Sequence, residues 1–190
     1  MKRKIKKICA VFVIIVLLPY IITIFMNGKS IEANQDGKNG YIKVKTKSGT
    51  KEVPLKEYCI GTLAKEISVD FEEEALKAQA VIVRTTIYKK IEEEGNKAVM
   101  TERFFTKSDM KNQWGRSAFQ KNYKKLERVW NETDGQVVMY NGQLAMVPFH
   151  QLSNGKTRIG KEVLGTDEYP YLQMKECPKD VEADGQMESK

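Results

Sequence analysis

A helix that is apolar around most of its circumference has to sit in the middle of a fold, and residues 70–95 encode one. Leu76, Ala80, Val83, Ile87 and Ile91 recur at helical spacing, and Ala75, Ala78 and Ile82 widen that stripe. Asp70 is a fitting N-cap, Glu72, Glu73 and Glu74 suit the positive end of the helix dipole, and Gly95 is the expected stop. The β-branched cluster from Val81 to Ile87 is compatible with a strand, but the length and the alanines favour helix. A shorter helical pattern precedes it. Pro54 suits a first turn, followed by Leu55, Tyr58 or Cys59, Thr62 or Leu63, and Ile67. Glu66 stands near the end of that first helix, where the negative dipole end and the second helix both favour a protonated carboxyl.

The N-terminus is a separate unit. Lys2, Arg3, Lys4, Lys6 and Lys7 precede an uncharged run from Ile8 to Met26. A membrane-crossing helix needs roughly 20 such residues. The basic flank orients residues 1–7 to the cytoplasm, with the domain outside the cell membrane. A cleavable signal peptide is the rival reading, although no clear small-residue cleavage site precedes Asn27. The chain carries 32 Lys+Arg against 25 Asp+Glu, a net +7. With the five basic residues of the flank set aside, 27 face 25, so the remainder is nearly balanced. The basic excess is therefore a topology signal, and no nucleic-acid partner is expected.

About 160 residues follow, enough for one domain. Residues 27–40 read as a linker, 41–178 as the domain and 179–190 as a polar, flexible tail. Tyr41 to Lys47 alternates like a strand with one wet face, and Ser48-Gly49-Thr50 turns the chain. Residues 101–120 read as irregular, and 119–131 as an amphipathic helix with Phe119, Tyr123, Leu126 and Trp130 in line. Val137–Tyr140 and Leu144–Phe149, joined by Asn141-Gly142, form a hairpin with a strong two-residue turn. Pro148 puts its second strand at an edge or gives it a bulge. The order predicts an α+β domain with a central buried helix and antiparallel hairpins behind a transmembrane helix. Cys59 and Cys177 are free to pair or to stay reduced. No CxxC or His/Cys cluster exists, so neither a metal site nor a cofactor is expected.

Residues 53–86, VPLKEYCIGTLAKEISVDFEEEALKAQAVIVRTT, resemble the opening motif of the SpoIID/LytB family of stage II sporulation protein D and amidase-enhancer proteins. Gln113-Trp114-Gly115, Thr133-Asp134-Gly135-Gln136-Val137, the loop His150 to Thr157 and Tyr169-Pro170-Tyr171-Leu172 are similar to later family elements, in the same order. The resemblance covers roughly residues 53–178, the N-terminal part of the family's domain. There are departures: Glu66-Ile67-Ser68 stands for a Glu-Met-Pro. His150 is the single histidine, so the family's C-terminal Gly-His-Gly-Val-Gly-Met-Ser-Gln motif has no counterpart.

The sporulation branch implies lytic transglycosylase action on peptidoglycan glycan strands. Such a reaction uses one carboxyl, first as acid on the glycosidic oxygen and then as base on the muramic C6 hydroxyl. Glu66 is the matching residue. Gln79, Arg84, His150, Ser153 and Tyr171 are the candidate substrate-binding residues, each with an ordinary structural role as its rival. A buried Arg84 needs a partner, such as a carboxylate of the Glu66 region or of a neighbouring loop. A Ser153/His150 nucleophile needs a third, orienting group. Trp114, Trp130 and Tyr171 suit sugar stacking or core packing. The amidase-enhancer branch implies instead a non-catalytic scaffold. Its protein partners would be a cell-wall amidase or sporulation membrane proteins.

Overall fold

The structure, a computed structural model, describes residues 40–46 and 48–182. The expected membrane span at 8–26, the linker up to residue 39 and the last eight residues lie outside them. Among the described residues no helix is long and apolar enough to cross a membrane.

The fold is α+β. Strand β1 (Tyr41–Thr46) turns into β2 (Gly49–Pro54), pairing antiparallel from Tyr41 opposite Pro54 to Thr46 opposite Gly49. The short β3 (Val99–Met100) adds to the other edge of β1 in parallel, so β1 is central. Ile42 and Val44 turn inward as the alternation requires. Strand β2 was not legible in the sequence. Its Thr50-Lys51-Glu52 run is exposed at a sheet edge and has no apolar face to announce it.

Helix α1 (Leu55–Glu66) starts at Leu55, with Pro54 at the N-cap position rather than inside the first turn. Both members of each ambiguous pair, Tyr58 with Cys59 and Thr62 with Leu63, are buried, because α1 is enclosed by α2, α3 and β2. Helix α2 (Glu73–Glu94) begins three residues after Asp70. The Asp70 side chain instead accepts a hydrogen bond from Ser68 in the connecting turn, so it caps nothing. Gly95 ends α2 as expected, at φ 57°. Leu76, Ala80, Val83 and Ile87 are buried, while Ala78 is exposed, so the apolar face is narrower than the sequence suggested.

The largest correction lies in residues 101–120. Helix α3 spans Lys107–Glu132 and opens on a capping box in which Thr106 and Asp109 satisfy each other's backbone N–H groups. Gly115, at φ 75°, breaks the helical path and masks the periodicity across the join. Met110, Phe119, Leu126, Val129 and Trp130 close the core over α1 and α2. Each large aliphatic side chain fully buried there contributes roughly 1.5–3 kcal/mol.

The second hairpin is shorter than expected: β4 (Met139–Tyr140) and β5 (Gln143–Leu144) flank Asn141 and Gly142, both at positive φ. The Tyr171 hydroxyl accepts from the Met146 N–H at 2.8 Å and donates to the Met146 carbonyl at 3.2 Å. A side chain thus occupies the groups that a longer strand would use, and Pro148 has no N–H to offer. A five-residue helix, α4 (Gly160–Leu164), follows. Cys59 is buried in the core and Cys177 partly so, and both are free thiols.

Candidate functional site

Glu66 is the last residue of α1, where the chain turns extended at Ile67 and buried Val69 pins the connection to α2. Its half-buried carboxylate accepts a hydrogen bond from Gln79 Nε2 on α2 at 2.7 Å. Gln79 is itself buried, so the amide is a fixed donor. Glu66 opens into a cavity of about 300 Å3, with Gln79 behind it. Tyr58 and Thr62 of α1, Val83, Ile87 and Lys90 of α2, Met100, Glu102 and residues 145–147 line it.

One glycine lets the remaining wall approach. A Cβ on Gly61 would overlap the Phe105 carbonyl oxygen and stand 2.7 Å from the Phe104 ring. The Phe105 N–H instead donates to the Gly61 carbonyl at 3.0 Å. That contact holds the 101–105 segment against α1 and carries Glu102 to the cavity.

Glu102 was not singled out in the sequence, since it sits in a segment with no periodicity. Lys90 Nζ lies 3.7 Å from its carboxylate, the Thr101 N–H donates to it at 3.1 Å, and the Tyr58 hydroxyl reaches it at 3.5 Å. The two carboxyls of the cavity are pushed in opposite directions. Burial holds Glu66 above the usual carboxylate range, against the Gln79 hydrogen bond and Lys65, with a further upward push from the Glu102 charge. Burial also acts upward on Glu102, but backbone N–H donors and Lys90 outweigh it and leave its carboxyl below that range. A site with one carboxyl disposed to keep a proton and one disposed to lose it has the makings of acid–base chemistry.

Arg84 lies elsewhere. It is fully buried, with its guanidinium 3.9 Å over the Trp130 ring. Nη2 donates to the Trp130 carbonyl at 2.8 Å, and Nη1 to Gln136 O and Thr133 Oγ1, each at 3.2 Å. Its hydrogen bonds go to the carbonyl end of α3, a favourable place for a cation, and of the expected carboxylates Asp134 of the neighbouring loop is the one whose charge acts on it. Thr85 beside it accepts the Val138 N–H at 2.9 Å. The Arg84-Thr85 pair of the opening motif and the Thr133–Val137 motif are therefore two halves of one joint.

The stage II sporulation protein (SpoIID) family model matches residues 43–140, the stretch that builds this joint and all of the cavity lining named above except residues 145–147. The chain belongs to that family. It is 34% identical over 140 residues to stage II sporulation protein D of Bacillus subtilis (strain 168). It is also 34% identical over 138 residues to stage II sporulation protein D of Bacillus amyloliquefaciens. Each alignment covers 67% of this chain and 40% of the relative, so the chain spans about two fifths of the length of these curated relatives.

The other candidates fall beyond the family-matched stretch. His150, Ser153 and Tyr171 line a second cavity, of about 500 Å3. The Ser153 hydroxyl donates to Asp180 at 2.7 Å and its N–H to the same oxygen at 2.9 Å. A hydroxyl spent on a carboxylate anchors a loop. Tyr171 packs 4.5 Å from the Tyr140 ring, and Trp130 is core, so of the three aromatic candidates only Trp114 leaves an edge to solvent without lining either cavity. Gln151 links the two regions: its Nε2 donates to the Glu66 backbone carbonyl at 2.9 Å.

Proposed function

We propose that this SpoIID-family chain is an exported, membrane-anchored protein that acts in sporulation or cell-wall remodelling on peptidoglycan glycan strands, with Glu66 as general acid and then general base. The observation that carries the reading is the half-buried Glu66 carboxyl, hydrogen-bonded to buried Gln79 at the wall of a cavity. In its protonated form Glu66 gives its proton to the glycosidic oxygen as the bond to the muramic anomeric carbon breaks. The carboxylate then takes the proton of the muramic C6 hydroxyl while that oxygen bonds the same anomeric carbon. The 1,6-anhydro ring closes, Glu66 is restored, and no water enters. Glu102, which lines the same cavity and gives up its proton more readily, offsets the positive charge that builds on the sugar.

The test is mass spectrometry of digests of sacculi stripped of stem peptides, with wild type and Glu66→Gln side by side. The expected outcome is anhydromuramyl ends from wild type only, with a loss of at least ~100-fold in the variant, the scale of one general acid. Equal product from both proteins removes Glu66 from the mechanism. Carbonate extraction of membranes tests the anchor at 8–26, which should resist release.

A second reading, a non-catalytic scaffold or enhancer of a partner amidase, draws support from the exposed apolar side chains after Thr133, among them Met139, Tyr140, Val163 and Leu164. Cellular activity unchanged by Glu66→Gln favours it. Activity lost with glycan binding retained favours catalysis.

A further inference from the structure

The second cavity has the opposite electrical character from the first. Around the Glu66 cavity stand the carboxylates of Glu66, Glu93, Glu94 and Glu102, with Lys89 and Lys90. The second cavity is lined by Lys156, Arg158, Lys175 and His150, and by no aspartate or glutamate. Neither Lys156, Arg158 nor Lys175 makes an ion pair with a carboxylate among the described residues. Asp180, close enough for the His150 charge to act on it, is outside the lining and accepts from Ser153.

The cations are held by construction. The segments 156–160 and 172–176 run side by side, with Thr157 N–H donating to Lys175 O at 2.8 Å and Gly160 N–H to Leu172 O at 2.7 Å. A Cβ on Gly160 would stand 2.6 Å from Leu172, so the approach that forms this wall depends on glycine. Leu172, Val163 and Leu164 add apolar surface to the hollow, beside the polar Ser153, Asn154, Thr157 and Gln173. Like charges gathered round a hollow whose lining holds no carboxylate repel one another, and Asp180 behind Ser153 offsets them only in part. A bound anion relieves that repulsion and gains charge-assisted hydrogen bonds, with Arg158 offering a fork and the lysines point charges.

We propose that the second cavity is a binding site for an anionic group, carboxylate or phosphate, carried on a body with an apolar face such as a sugar ring. The segment 145–150 supplies a wall to each cavity: Ala145, Met146 and Val147 to the first, Pro148 and His150 to the second. A polymer lying along it touches both. The anion site itself does not depend on the catalytic reading of Glu66.

The test is titration calorimetry on the whole chain with three probes: an oligogalacturonate, inorganic polyphosphate and a neutral chito-oligosaccharide. The proteins are wild type, the double variant Arg158→Gln/Lys175→Gln, Lys161→Gln and Glu66→Gln. At low salt at least one anionic probe should bind ~10-fold or more tighter than the neutral one, and added salt should weaken it. The double variant should lose about tenfold, the scale of one charge-assisted hydrogen bond. Lys161, paired with Asp167 outside the cavity, should be neutral on substitution. Arg158, Lys175 and Lys161 are exposed, so folding is not at stake in the variants that test the anion site. Preference for oligogalacturonate assigns a carboxylated sugar, and preference for polyphosphate assigns a phosphate. Equal binding of the neutral probe overturns the proposal, as does an equal loss in Lys161→Gln, which would mean only a diffuse basic surface. Should Glu66→Gln leave wall cleavage untouched while the double variant loses the anion, the catalytic reading falls and this site stands.

Discussion

Every residue of the main apolar cluster lies between Val44 and Trp130, whereas all the large apolar side chains left exposed among the described residues, except Tyr41 and Phe71, come after Thr133. The first region is held by shared burial, which is cooperative and tolerant of no missing wall. The second is held by single polar ties: Arg84 and Thr85 to the 133–138 turn, Tyr171 to Met146, Ser153 to Asp180, and Gln151 to Glu66. The Glu66 cavity sits on the boundary, with its acid in the first region and one wall, 145–147, in the second. A cleft with one rigid wall and one tethered wall can admit a polymer without opening its core. Amide exchange should follow the division, slow through α1 and α2 and much faster after Leu144. Uniform protection would erase the comparison.

The strongest single test is Arg84, which joins the two regions. Arg84→Met keeps much of the buried volume but strands the carbonyls of Trp130 and Gln136 and removes the cation from the Trp130 face. A loss of roughly 2–4 kcal/mol in urea unfolding is expected. A loss under about 1 kcal/mol would show that the α3 end needs no such cap. Gly61→Ala comes next. The added methyl must displace the 104–105 backbone, for about 1–3 kcal/mol. The same displacement moves Glu102 from the cavity, so sacculus cleavage should fall more than stability alone explains. Tyr171→Phe is milder: it deletes both hydrogen bonds of the Tyr171 hydroxyl to the half-buried Met146 backbone, for about 1–2 kcal/mol, and should speed exchange only around 144–148.

Legibility in the sequence does not follow that boundary: the misses lie in the first region, and the Asn141-Gly142 turn of the second was plain. Periodicity found α1, α2 and the second half of α3, because burial on one face writes itself into residue spacing. It missed the first half of α3, where Gly115 resets the phase, and β2, which buries almost nothing. Glu66 and Gln79 were legible through the family motif, and the structure brings them together. Arg84 was legible as a buried arginine, but two of its hydrogen-bond acceptors are carbonyls, and backbone groups leave no trace in side-chain patterns. Glu102 and Gln151 reach the site through loop geometry, which no spacing rule encodes.

The two carboxyls of the cavity offer the smallest and most discriminating test. Burial raises the folded-state pKa of Glu66, so the folded protein holds that proton more tightly than the unfolded chain does. Its stabilising share is therefore full at pH below the ordinary carboxyl value and is lost as pH climbs through the raised one. Glu66→Gln, neutral throughout, should gain on wild type across that rise. Glu102 has a lowered folded-state pKa, so its share is present above the ordinary value and lost as pH falls through the lowered one. Glu102→Gln should accordingly lose ground to wild type as pH rises over the neighbouring range. Both effects are small, because Glu66 is partly and Glu102 mostly open to solvent, and Lys65, Lys89, Lys90, Glu93 and Glu94 screen or oppose them. Only the opposite signs matter. Urea midpoints of the two variants, taken from about pH 3 to 7 relative to wild type, should diverge, Glu102→Gln at the acid end and Glu66→Gln above it. Parallel curves would mean that the cavity does not tell its carboxyls apart, and Glu66 would have no claim to a proton that Glu102 lacks.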